Sequence, residues 1–354
     1  MTNASTKAAP QKIVKEIMDT LPSRNRDVVE RRFGFKGGER ETLESVGKRY
    51  NITRERVRQI QNNTINGILK TPVMAKIEPY FAFFHDHVAD HGYLRREDKF
   101  LEEDLKDLFH ESQHDEHLKP SVYFILTLGD KFSYHSENDH FHPLWTVNKE
   151  FVGKAKSFLT NLSRAIEDAK DLLTLPQLRD MARPIATQSG FLSSDKAIFS
   201  AIDAFKNIDS NIYGDYGLAH WPNVNPRGVR DKAYLVLKKS ESPLHFSKIS
   251  ETINDTFGKA KDAKVQTVHN ELIKDDRFVL VGRGLYALSE WGYTPGTVKE
   301  VMVRILNESK NPLSKSELLD KVRQQRFIKD NTIILSLQDK KLFRRTEDGR
   351  YQLV

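Results

Sequence analysis

The sequence predicts a mainly α protein. It reads as a helix-turn-helix near the N-terminus, followed by about four winged-helix units with small β-hairpins. Three observations carry this. Thr42 to Leu69 shows two helical apolar patterns around a short break. Downstream, an order of three helices and an aromatic hairpin recurs four times. The charge is also partitioned along the 354 residues, whose overall balance is +7. Residues 1–76 carry 16 Lys+Arg against 8 Asp+Glu, a net +8. Residues 77–145 carry 6 against 15, a net −9, and residues 146–226 carry 9 against 9. Residues 227–354 return to +8, with 25 against 17. Basic ends favour a polyanion, and the acidic segment is repelled by one.

The helix-turn-helix is argued residue by residue. Thr42 is an N-cap, and Glu44 in the first turn suits the helix dipole. Leu43, Val46 and Tyr50 form the buried face of the first helix. Asn51-Ile52-Thr53 is the turn, and Thr53 caps the second helix. Val57, Ile60, Ile65 and Ile68 point one way from that helix. Arg54, Glu55, Arg58, Gln59 and Asn62 point the other, with Arg56 beside them. Arg can grip a guanine edge through two bonds, Gln an adenine edge, and Glu can accept from a cytosine amine. Thr42, Thr53, Arg54, Glu55, Arg56, Arg58, Gln59 and Asn62 are therefore the expected DNA-contacting residues.

A resemblance rests on the same stretch. Leu21-Pro22, Arg26-Asp27-Val28-Val29, Arg32-Phe33-Gly34, Gly37-Gly38-Glu39, Thr42-Leu43-Glu44 and Thr53-Arg54-Glu55-Arg56-Val57-Arg58-Gln59-Ile60 resemble region four of sigma-70-type RNA polymerase factors. The resemblance covers about residues 12–72. It implies a module that reads the promoter −35 element and docks on the polymerase flap. Gln61 stands where the family usually has Glu. No aromatic-rich, promoter-melting region precedes it, so the chain is expected to resemble part of a sigma factor and not a complete one.

Taken in order, residues 1–11 read as a disordered polar tail. Ile13 to Leu21 and Arg24 to Phe33 read as helices, the second stopped by Gly34. Four units follow, over 77–147, 153–224, 228–292 and 297–354. In the first, helices are expected over Ile77–His91, Glu102–His110 and Ser121–Leu128, with strands at Lys131–Tyr134 and Phe141–Trp145. In the second they are near Ala155–Ala169, Leu175–Ala182 and Asp195–Phe205, with strands at Asn211–Tyr213 and Leu218–Trp221. In the third they are near Val229–Lys239, Phe246–Phe257 and Ala263–Lys274, with strands at Phe278–Val281 and Leu285–Leu288. In the fourth they are near Val298–Glu308, Lys315–Gln325 and Asn331–Asp339, with strands at Leu342–Arg345 and Tyr351–Val354. Linkers are expected near Val147–Gly153, Pro222–Gly228 and Gly292–Thr297.

Within the third unit, Ser242-Pro243-Leu244-His245-Phe246-Ser247-Lys248-Ile249, Asp276 to Leu288 and Trp291 resemble the HARE-HTH winged helix. That family includes the N-terminal domain of the RNA polymerase delta subunit, so the resemblance implies transcription more than a particular ligand. Lys264, Gln266, Thr267, Asn270 and Arg283 are possible secondary DNA contacts, with Arg350 on the last wing. Winged helices also serve as protein adaptors, and for the C-terminal units the two readings stand level.

Other chemistry is weighed and set aside. His110, His114 and His117 share a helical spacing that could gather imidazoles around a metal, but a solvated face is the expected outcome. Glu102-Glu103-Asp104 reads as an exposed helix start, and Gly282-Arg283-Gly284 as a hairpin turn. Neither a nucleophile elbow nor a phosphate loop occurs. The absence of Cys excludes disulfides and thiolate chemistry. No enzymatic activity, cofactor, metal site or membrane segment is expected. The expectation is a DNA-binding transcription factor with sigma-like −35 readout, acting with double-stranded DNA and RNA polymerase in the cytoplasm, at the nucleoid. The alternative is a polymerase- or nucleoid-associated adaptor.

Overall fold

In the computed structural model, residues 9–109, 116–258 and 263–354 are described. The first four helices are α1 (Pro10–Asp19), α2 (Ser23–Phe33), α3 (Leu43–Tyr50) and α4 (Arg54–Ile68). Pro10 opens α1, where its missing N–H costs nothing, so the helix begins inside the stretch expected as tail. Gly34 ends α2 at φ 84°, a left-handed cap suited to glycine. Thr42 and Thr53 cap α3 and α4, accepting from the amides of Ser45 and Arg56.

The next segment holds α5 (Met74–Asp90), β1 (Leu94–Arg96), a π-turn at Lys99–Asp104 continuing into α6 (Leu105–Leu108), α7 (Leu118–Leu128), β2 (Ser133–His135) and β3 (Leu144–Thr146). The strands form an antiparallel sheet in the order β1-β3-β2. After it come α8 (Lys149–Ala169), α9 (Leu175–Gln188), α10 (Asp195–Ala204), β4 (Ile208–Ser210) and β5 (Tyr216–Leu218). This hairpin lies earlier than expected, because Asn211 turns the chain. Its side-chain oxygen accepts from the amides of Tyr213 (2.9 Å) and Asp215 (3.0 Å).

The remaining elements are α11 (Val229–Ser240), β6 (Leu244–His245), α12 (Phe246–Phe257), α13 (Val265–Lys274), β7 (Phe278–Leu280), β8 (Leu285–Leu288), α14 (Val298–Ser309), α15 (Lys315–Gln325), α16 (Asp330–Ser336), β9 (Phe343–Arg345) and β10 (Tyr351–Leu353). The β6-β8-β7 order repeats that of the first sheet. In the two units with only a hairpin, single bridges at Leu173↔Tyr216 and Leu313↔Tyr351 stand where β1 and β6 do. A first strand of this length carries no alternation, so the sequence pattern did not reveal it.

The chain divides into two compact units: Met1–Asp209 with Tyr216–Ala219, and Ser210–Asp215 with His220–Val354. In the first unit, one core runs across the expected boundary at residues 72–77. It joins Ile17, Met18, Val29, Phe33 and Ile68 to Ile77, Phe84, Val122, Phe124 and Trp145. Phe33 packs edge-on against Phe124, with ring centres 5.0 Å apart. Arg40 lies over the Tyr123 ring and pairs with Glu97 at 2.6 Å. Along the other side, α10 meets β1: Ser200 Oγ donates to the Leu94 carbonyl (2.8 Å), and Arg95 pairs with Asp203 (3.0 Å).

In the second unit, α11–α13 and α14–α16 each enclose a core of their own. Between them, buried Arg326 donates to the carbonyls of Leu280, Thr294 (3.0 Å) and Gly296. The Phe327 amide donates to Val281 O at 2.8 Å. The Gly292–Thr297 stretch, expected to be a linker, is thereby tied down.

Candidate nucleic-acid interface

The angle between α3 and α4 is set by a tight turn. Asn51 takes a left-handed conformation at φ 54°, and the Ile52 amide donates back to Gly47 O at 3.0 Å. A β-carbon on Gly47 would lie 2.7 Å from Ile52 O, so the turn needs glycine there. Behind it, Val28, Val46 and Val57 form a small buried cluster, with Leu43, Tyr50, Ile52 and Ile60 packed round it.

Asp27 organises the rear of the module. Burial pushes its carboxyl up, but hydrogen bonds from Lys36, Tyr50 and Arg31 outweigh this and hold it well below the usual carboxylate range. The Arg31 contact is 2.8 Å long. Gln61 accepts from Arg32 Nε at 3.0 Å, so the residue that departs from the sigma pattern points inward to α2.

All eight expected contact residues are exposed: Thr42, Thr53, Arg54, Glu55, Arg56, Arg58, Gln59 and Asn62. Thr42 and Thr53 spend their hydroxyl oxygens on the caps. Arg58 and Glu55 grip each other through two bonds, Nε to Oε2 at 2.8 Å and Nη2 to Oε1 at 2.7 Å. The hydrogen bond from Arg58, more than its charge, holds the Glu55 carboxyl below its ordinary value. Arg56 donates to Gln59 Oε1 at 3.2 Å. The face is a mesh of donors and acceptors on a helix anchored by Val57, Thr64 and Ile68. Lys48 and Arg49, exposed at the end of α3, and exposed Arg24 add cations that the sequence reading passed over. Their clue was the dense charge around the turn.

The secondary set divides. Lys264, Gln266, Thr267 and Asn270 are exposed at and after the start of α13, where Gln266 donates to Asn270 at 3.2 Å. Arg283 is exposed too, but its hairpin is engaged by the next unit at Val281 and Gly282, where a β-carbon on Gly282 would meet Phe327 O at 2.7 Å. His117 is exposed, its ring stacked on Phe35; His110 and His114 lie outside the described residues. Among the described residues one group has metal-binding proximity: His87, His91 and Asp104, from a different part of the histidine-rich segment. Asp104, expected in an exposed helix start, is instead buried by the π-turn. No helix among the described residues is long and apolar enough to cross a membrane.

The geometry of residues 10–68 defines a helix-turn-helix module. The sequence profile of Sigma-70, region 4, matches residues 17–67. The RNA polymerase sigma factor SigA of Lactococcus lactis subsp. cremoris is 50% identical over 50 residues, covering 14% of this chain and 14% of that protein. SigA of Synechocystis is 46% identical over 48 residues, covering 14% and 11%. SigA of Clostridium acetobutylicum is 37% identical over 81 residues, covering 22% and 21%. The chain thus spans about a fifth or less of the length of these curated relatives.

Proposed function

We propose that the protein is a DNA-binding transcription factor in which α4 reads base edges in the major groove, with sigma-like −35 readout in concert with RNA polymerase, in the cytoplasm at the nucleoid. The observation that carries the reading is the polar face of Arg54, Glu55, Arg58, Gln59 and Asn62, exposed on a helix whose other side is anchored in two cores. The match to region 4 of the sigma-70 family supports it. The Glu55–Arg58 pair suits readout of both partners of one base pair, since Glu accepts from cytosine and Arg donates to guanine. Arg58→Ala is expected to weaken binding to a selected site by roughly 1–3 kcal/mol and relax preference at one base pair. An unchanged profile across single-base variants removes Arg58 from the reading set.

The segments 77–147, 153–224, 228–292 and 297–354 are read as winged helices, the third of HARE-HTH type. The recurring helix–strand–helix–helix–hairpin order supports this. One observation favours the adaptor role for the last unit. Its third helix, α16, carries no Lys or Arg and exposes Leu335, whereas a groove-binding helix needs cations for phosphate. If residues 228–354 bind duplex DNA at low salt more tightly than residues 228–292 do, that adaptor role fails.

A further inference from the structure

We propose that His87, His91 and Asp104 form a binding site for a divalent transition-metal ion of the zinc class. His87 lies in the last turn of α5 and His91 is the residue that caps its C-terminal end, four positions on, so their rings leave the same side. Asp104 comes from the π-turn, whose wider winding buries Phe100 and Asp104 together on the side facing α5. The ligand atoms of all three lie within 4.8 Å of one another. Tetrahedral zinc needs neighbouring ligands about 3.3 Å apart, within reach of small side-chain rotations.

The surroundings prepare each ligand. His91 Nδ1 lies 2.7 Å from the His87 carbonyl oxygen. A carbonyl can only accept, so Nδ1 carries the hydrogen and Nε2 of the neutral ring keeps its lone pair. The His87 ring is held between Phe100, stacked at 5.4 Å, and His91 at 4.4 Å. Asp104 is fixed by two bonds from Arg95, Nε to Oδ2 at 2.8 Å and Nη2 to Oδ1 at 2.7 Å, so it stays ionised and oriented. Asp203 also pairs with Arg95, so two carboxylates face one guanidinium and a cation is favoured beside them.

The contact to be replaced is His87 Nε2 to Asp104 Oδ2, now 2.8 Å. On binding, the metal takes the place of the hydrogen between these atoms: the ligating His87 ring carries its single hydrogen on Nδ1, and any further proton on the ring is released to water. His87 is less buried than its partners, leaving an approach for a fourth, water ligand.

The test uses the full chain, stripped with a chelator. Zinc is titrated by calorimetry, and cobalt by visible absorption as a coordination probe. The expected result is one tight equivalent, weakened more than about 100-fold in His87→Gln and His91→Gln, since changing even an outer partner costs 10–100-fold. His140→Gln, at an exposed position, is expected to bind as the natural chain does. An unoccupied natural chain, or an equivalent that persists in His91→Gln, overturns the proposal. Because these variants also touch a packed cluster, anomalous scattering at the zinc edge is measured on the natural chain. A peak between α5 and the π-turn supports the site, and zinc found only elsewhere overturns it.

Discussion

The helix-turn-helix module and the C-terminal pair solve the problem of burial differently. Between α2, α3 and α4 the module fully buries Val28, Val46 and Val57 as its own cluster, and seals its remaining apolar face, including Phe33 and Ile68, against α5 and α7. The α11–α13 and α14–α16 groups, each with its own hairpin and connecting turns, bury twelve and ten apolar side chains respectively. A domain of this size lives on what its core removes from water. The segment with the clearest sequence relatives is therefore the one that leans hardest on its neighbour.

The largest test of this contrast is Phe124→Ala in α7. Loss of a buried phenyl ring costs roughly 3–5 kcal/mol, and its ring neighbours are Phe33 and Phe35. Hydrogen exchange is expected to quicken in α2 and α4 as well as in α7. In Leu318→Ala, a comparable loss in the last unit, faster exchange is expected across α14–α16. Unaltered protection of α2 and α4 in Phe124→Ala would show that the module stands alone.

Gly47→Ala probes the module without touching the shared core. The new methyl meets a backbone carbonyl, and overpacking of that kind costs roughly 1–3 kcal/mol. The melting temperature of the first unit is expected to fall while the C-terminal pair keeps its own. A neutral substitution would mean that the turn relaxes freely.

Asp27→Asn sharpens the comparison through pH. The folded carboxyl lies below its unfolded value, so its stabilisation is present above about pH 4 and fades as pH falls through the acid range. The substitution is expected to cost roughly 1–3 kcal/mol at neutral pH and to flatten the acid limb of the module's stability curve. An acid limb identical to that of the natural chain rules out Asp27 as its source. Thr53→Ala removes one cap and is expected to cost about 1 kcal/mol, read as fraying at the start of α4 in amide exchange.

Local features were legible in the sequence. Thr42 and Thr53 cap as their positions foretold, and α12 and α15 run over Phe246–Phe257 and Lys315–Gln325 as expected. The polar face of α4 is exposed because its apolar residues leave it no other side to turn outward. Meetings between distant residues were not legible. Periodicity says that Ile17 and Phe33 need cover, but not that Val122 and Phe124 supply it. Nor does spacing foretell a π-turn that swings Asp104 under His87. The Leu173 and Leu313 bridges are single residues and leave no pattern to read.

The Arg326 joint changes what the Gly292–Thr297 stretch is. Its composition is that of a cleavable connector, with Pro295 and Gly296 exposed. A protease must draw several residues out of the fold into an extended strand before it can cut. Here the carbonyls of Thr294 and Gly296 are gripped by a guanidinium that enters from the following domain. Drawing the strand out strips that buried cation of two of its three carbonyl partners, so the scissile conformation is guarded by a side chain some thirty residues further on.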